Sequence, residues 1–377
     1  MAYSSIVKPS VYFNTKLYTG NGGTNALTGV GFKPDLTWIK CRDDTHNPNW
    51  FDSVRGATKR LSTHSSAAES TVANSLTSFD NDGFTLGASG GENSNSNTYV
   101  AWNFKAATYG ATYYSKVEGG SQSNSDTASA LGITAGTIAG NTWRVAVNRD
   151  CNFSIVKYVG NGSAGATVGH GLGVVPEMVI VKSTTGATNW AVYHNSLGNF
   201  AKYLYLDATN AVSTDSDFFD AATNSTTVTL GSNSAVNSNG QTYMAYCFAS
   251  KTGYSKFGSY TGNGNVNGNF IYTGFKPSFI LRKRTDDAGA WLIQDNKRPG
   301  SNRAVADSLP TDQNVLRAND SSAEEYNNEL DLLSNGFKLR ADNSFGNSSG
   351  ATYIYMAIAE EPLVANSGTD GVPATAR

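Results

Sequence analysis

The 377-residue chain carries 28 Lys plus Arg against 30 Asp plus Glu, a formal charge of −2, and only 15% of it is charged, against the ~25% usual for globular domains. A balance so close to neutral gives no general drive toward nucleic acid, whose binding leaves a basic footprint, and no apolar run reaches the ~18 residues a transmembrane helix needs. Cys41, Cys151 and Cys247 are too few and too scattered for a disulfide framework or a zinc site. The opening MAYSSIVKPS lacks the charged-then-apolar pattern of a secretory signal, so a soluble, disulfide-free protein from a reducing compartment is expected.

With 39 Gly, 19 Tyr, 17 Phe and 6 Trp against 4 Met, the composition favours strands joined by turns. In chain order, the first signpost is Tyr18-Thr-Gly-Asn-Gly22, a strand end followed by residues that tolerate positive φ. Next comes Gly31-Phe-Lys-Pro34, whose proline belongs at a strand start or edge. Leu36-Thr-Trp-Ile-Lys40 follows, close to continuously apolar, as a strand buried on both faces would be. A polar turn then leads to Trp50, a core plug that opens another strand, to Gly83-Phe84-Thr-Leu86, and to Thr98–Phe104, which alternates.

The series then recurs. Tyr158-Val-Gly-Asn-Gly162, Gly173-Val-Val-Pro176, Met178-Val-Ile-Val-Lys182, Trp190, Val228-Thr-Leu230 and Thr242-Tyr243 form a second copy. Tyr260-Thr-Gly-Asn-Gly264, Gly274-Phe-Lys-Pro277, Phe279-Ile-Leu-Arg-Lys283, Trp291, Gly336-Phe337-Lys-Leu339 and Thr352-Tyr353 form a third. The expected fold is all-β, three tandem β-sandwich-like repeat domains with a strand-poor insert between the first and second. The expected division is an N-terminal arm over 1–10, domains over 11–107, 153–250 and 254–361, an insert or linker over 108–152, and a flexible tail over 362–377. The Trp50, Trp190 and Trp291 positions should be equivalent. The insert should hold strands around 142–147 and 111–117, and Ser321–Leu333 could form a capped helix.

The histidines (46, 64, 170 and 194) show no metal spacing, and no G-x-S-x-G elbow occurs. Val168-Gly-His-Gly-Leu-Gly173 reads as a turn rather than a dinucleotide fingerprint. Asp43-Asp44 and Asp286-Asp287 occupy matching turns and could hold Ca²⁺, the blander reading being solvated turn residues. No catalytic, cofactor-binding or metal-binding residue is assigned, and no cofactor is expected.

The signposts in this order resemble a repeat domain of virion proteins from tailed, mostly marine bacteriophages. Gly253-Tyr-Ser-Lys-Phe-Gly-Ser-Tyr-Thr-Gly-Asn-Gly264, Leu333-Ser-Asn-Gly-Phe-Lys-Leu-Arg340, Thr352-Tyr-Ile-Tyr-Met-Ala-Ile-Ala-Glu360 and Asp52-Ser-Val-Arg-Gly-Ala57 carry the likeness, over about residues 11–361. The resemblance implies a non-enzymatic structural component of the particle, a tail-fibre or host-attachment protein assembled in the host cytoplasm and located in the virion. Alternatives are a capsid decoration or cement protein or, in a different class, a particle-borne polysaccharide-degrading enzyme. The expected partners are other copies of the chain (a homo-oligomer, with a trimer favoured), other virion proteins, and a host surface glycan or protein, with no nucleic acid and no membrane insertion. The candidate contacts are Arg303, Arg317, Asp320, Glu324, Glu325 and Tyr326, the charged stretch of Pro299–Glu329 in an outward-facing third copy.

Overall fold

The computed structural model describes residues 4, 6, 8–106, 114–115, 133–138, 143–298, 313–326 and 330–362. The fold is all-β, and the α-helices described, Gly90–Asn93 and Ser234–Asn237, are single turns. Each copy builds one large antiparallel sheet in the same spatial order. An opening strand (Phe13–Thr19, Phe153–Val159, Ser255–Thr261) pairs with the closing strand (Thr98–Phe104, Thr242–Phe248, Thr352–Pro362). The closing strand pairs in turn with the strand after the signpost proline (Leu36–Cys41, Met178–Ser183, Phe275–Arg284). Beyond it lie the tryptophan strand (Asn49–Asp52, Ala191–His194, Trp291–Asp295) and a rim strand (Lys59–Ser62, Lys202–Tyr205, Gln313–Arg317). A small outer sheet accompanies each large one, ordered around Gly83–Leu86, Thr227–Leu230 and Gly336–Leu339.

Strand alternation sends one set of side chains to each face. From Leu36–Cys41, Ile39 and Cys41 pack under the outer sheet with Leu27, Phe84 and Leu86, which makes a sandwich. Leu36 and Trp38 turn the other way, into a core supplied by all three copies. Trp50 meets Trp190 at 5.5 Å between ring centroids, Trp102 meets Phe279 at 5.8 Å, and Phe248 meets Phe257 at 6.2 Å. Each large sheet is therefore covered on both faces, which accounts for its nearly unbroken apolar strands.

Paired tyrosines hold the opening turn of each copy. Tyr18 stacks on Tyr99, Tyr158 on Tyr243 and Tyr260 on Tyr353, at 5.1, 5.3 and 4.9 Å. Beneath each pair lies a buried asparagine, Asn93, Asn237 or Asn347, whose side-chain oxygen accepts from the backbone N–H of Asn21, Asn161 or Asn263. The first glycine of each Gly-Asn-Gly is required by close approach. A Cβ on Gly20, Gly160 or Gly262 would lie 2.1, 2.4 or 2.2 Å from a serine carbonyl oxygen.

Several expectations are corrected. Ser321–Leu333 is not a helix: Glu325–Tyr326 and Leu330–Leu333 are strands, and 327–329 lie outside the described residues. The Asp320 carboxylate accepts from the Ser322 N–H and hydroxyl, and Glu324 is drawn into buried ion pairs, so tertiary contacts override the helical pattern. Trp190 and Trp291 are equivalent, but Trp50 is displaced. Leu36, Met178 and Phe279 face Asp52, His194 and Asp295 respectively, which places Pro48, not Trp50, opposite Lys40. The matching bonds from Thr63 N–H to Pro48 O, Leu206 N–H to Trp190 O and Ala318 N–H to Trp291 O fix the same alignment. The insert is more than a connector, because Ile133, Ile138, Trp143, Val145 and Val147 enter the core of copy two. Among its described residues, Tyr114–Ser115 and Arg144–Asn148 are strands that extend the second large sheet beyond its opening strand.

Copy one alone would expose Leu36, Trp38, Trp50, Val100, Trp102 and Phe104 on its inner face. At about 2 kcal/mol per large apolar side chain, that loss is on the order of 10 kcal/mol, comparable to the whole stability of a typical domain. A fragment of residues 8–106 is therefore expected to remain unfolded, and the full chain to melt in one calorimetric transition. Separate endotherms for the copies, or a folded fragment by near-ultraviolet circular dichroism, would contradict the shared core.

Candidate functional site

Buried charged and polar groups line the three seams between copies. Lys40, Lys182 and Lys283 close the strands behind the prolines and are buried. Each donates across a seam, Lys40 to Ser321 O at 2.6 Å, Lys182 to Ser66 O at 3.0 Å and Lys283 to Thr209 O at 3.2 Å. Copy one thus reaches copy three, copy two reaches copy one, and copy three reaches copy two, so the ring is closed. Burial pushes all three ammonium groups down to about 8. The tryptophan N–H groups follow the same direction, from Trp190 to Ser62 O and Ser65 O, and from Trp291 to Tyr205 O. Trp50, two positions out of register, makes no such bond through its indole nitrogen.

Two seams carry an ion triad. In copy one, Arg55 lies between Asp52 and Glu69, with its Nη1 3.2 Å from Glu69. In copy three, Arg298 lies 2.6 Å from Asp295 and 2.7 Å from Glu324, with all three side chains buried. Burial opposes the charge on Arg298, and the adjoining carboxylates overcome it, so its pKa stays above the ordinary value. Each triad is also tied to the next copy. Tyr246 donates to Asp52 at 2.7 Å, the Trp102 indole donates to Asp295 at 2.9 Å, and Arg42 pairs with Glu324 at 2.8 Å.

The third seam, between copies two and three, lacks the triad. Strand register and the matching strap bonds (Glu69 N–H to Thr184 O, Glu324 N–H to Arg42 O, Val212 N–H to Thr285 O) identify the equivalents as His194, Leu197 and Val212. The partner also differs, since Met356 stands where Trp102 and Tyr246 stand and offers no N–H or O–H. His194 instead places Nε2 3.1 Å from Tyr355 O. Between Leu197, Val212 and the facing edge of copy three opens a groove of about 420 Å³.

The residues singled out from the sequence fall in several places. Arg303 lies outside the described residues. Arg317 pairs with Glu325 at 2.7 Å and Asp320 at 3.6 Å on the surface, and Tyr326 lies in the short strand Glu325–Tyr326. Glu324 is not a surface contact, because its side chain is fully buried in the copy-three triad. Asp43 and Asp286 accept from the Thr98 and Thr352 backbone N–H groups, and Asp286 also pairs with Arg284. No cluster of metal-ligating side chains occurs among the described residues. His170 is buried in its turn, with Nδ1 accepting from Leu172 N–H. The sequence reading misses Arg55 and Arg298, although Asp-x-x-Arg at the end of the tryptophan strand recurs in copies one and three and carries the signal.

Fold and seams together define a closed ring of three β-sandwiches around one core. Residues 8–362 match the model of a family described as a domain of unknown function (DUF7483), and the chain belongs to that family. No curated protein and no solved structure matches it.

Removing the Arg298 guanidinium leaves Asp295 and Glu324 buried beside each other, so Arg298→Met is expected to cost about 3–5 kcal/mol. The triple change Asp295→His, Arg298→Leu, Glu324→Val installs the copy-two side chains at these three positions and leaves no buried carboxylate without its guanidinium, so it should cost less than that single change, as read by urea midpoints. Burial pushes the His194 and His170 imidazoles down to about 4 from 6.5. The unfolded chain then binds protons that the folded one refuses, so stability falls as pH drops from 6.5 toward 4. Urea midpoints at pH 7 and 4.5 should show that loss, and His194→Gln should reduce it.

Proposed function

We propose that the protein is a non-enzymatic structural component of a bacteriophage virion, a tail-fibre or host-attachment protein. The observation that carries this reading is the closed ring. Its buried cations, carboxylates and indoles hold copy to copy, and that use suits a rigid particle component. The likeness of the repeated signposts to phage virion repeat domains supports it from the sequence side. Such a scaffold presents loops and outer sheets at fixed positions, which recognition by loops requires.

Three copies already pack around a shared core inside one chain, and the proposed homo-oligomer, with a trimer favoured, would assemble such chains. Further copies or other virion proteins would then attach through outward surfaces. Copy three offers two of these. Phe270 and Tyr272 are 44% and 53% exposed on an edge strand of its outer sheet, and Arg317, Asp320 and Glu325 form a separate charged patch. In copy two the equivalent edge strand is bonded by residues 135 and 138 of the insert. Immunogold labelling of purified particles should place the protein on the virion surface. Recovery only from the soluble lysate, or sustained release of reducing ends from envelope polysaccharide, would overturn the reading.

A further inference from the structure

The third seam differs from the other two at three coupled positions. Where copies one and three hold Asp, Arg and Glu, copy two holds His194, Leu197 and Val212. Replacing a buried triad with neutral residues need not weaken a seam, provided that the space is filled. Here it is left open. The two longest side chains of the triad are replaced by shorter ones, and a groove of about 420 Å³ results, within the size range of small-molecule sites.

The lining has a definite chemistry. Leu197, Val212 and Ile354 supply an apolar surface, Ser259 adds a hydroxyl that both donates and accepts, and Ser196 and Thr285, whose hydroxyls donate to Asn195 and Thr352, add acceptors. Lys202 also lines the groove, at the rim-strand position that Lys59 holds in copy one. Lys59 pairs with Glu69 at 3.6 Å, and Val212 stands in the place of that glutamate. The cation is present in both copies, and the carboxylate only in copy one. Asp286, on the opposite side, is held by the Thr352 N–H and by Arg284 at 3.0 Å, a guanidinium it shares with Asp287 at 3.5 Å.

We infer that this groove binds an acidic saccharide, a sugar unit that bears a carboxylate. The C–H face of the ring lies on the apolar surface, its hydroxyls meet the serine and threonine side chains, and its carboxylate takes the place of the missing glutamate beside Lys202. The inference deepens the host-attachment reading and rests on it for the biological use of the site.

Titration calorimetry of the full chain with trigalacturonate, against neutral maltotriose, tests it. One site per chain is expected, with maltotriose at least tenfold weaker. Lys202→Met should weaken trigalacturonate at least tenfold. The double variant Leu197→Arg, Val212→Glu, which rebuilds the side chains of the other seams, should lose binding with its melting temperature retained. If that variant fails to fold, Val212→Phe fills the same space and should have the same effect. No binding of trigalacturonate, equal affinity for maltotriose, or binding that survives the filled groove would overturn the site. Particle labelling reads separately: a virion-borne protein that ignores the sugar sinks only the groove, and a sugar-binding protein absent from particles sinks only the virion role.

Discussion

Everything in this fold follows from the need to cover the inner face of each large sheet. A sandwich normally buries one face of each sheet and leaves the other to water. Here the outer sheet covers one face, and the remaining face, rich in Trp, Phe and Leu, is covered by the other two copies. Closure then imposes its own demands. Backbone carbonyls at the seams need donors, and Lys40, Lys182 and Lys283 provide them from one position in each copy. Charges brought into the seams must be paired, as they are at Arg55 and Arg298.

Much of the architecture was legible because its signposts have local causes. The recurring tyrosines mark a stacked pair and Gly-Asn-Gly marks a turn pressed against a serine carbonyl, and both fall in short stretches. The buried asparagine that ties them together was not legible, since Asn93, Asn237 and Asn347 sit among many exposed Asn and Ser residues. The seams were hidden for a different reason. Matching the copies on their lone tryptophans puts copy one two residues out of register, and Arg55 then fails to align with Arg298. The acidic partners, Glu69 and Glu324, come from straps farther along the chain whose place only the fold defines. The helical pattern after Ser321 misled because Glu324, which would cap or solvate a helix, is an interior ion-pair partner.

Across the seams, the side chain on one copy and its partner on the next change together. Tyr246 faces Asp52 and Trp102 faces Asp295, each a donor meeting a carboxylate. Met356 has nothing to donate, and a carboxylate at His194 would have been left buried without a partner. The imidazole satisfies a main-chain carbonyl instead. The third seam is thus internally consistent, an alternative solution rather than a damaged version of the other two.

Covalent linkage of the copies makes such a difference attainable. In a ring of three identical chains, one gene writes every junction, so a change that opens a cleft at one would open it at all three and forfeit all the ion pairs together. Fused copies diverge one at a time. Two junctions remain as fasteners while the third is released for other chemistry, and the ring presents a single distinguishable side to whatever approaches it.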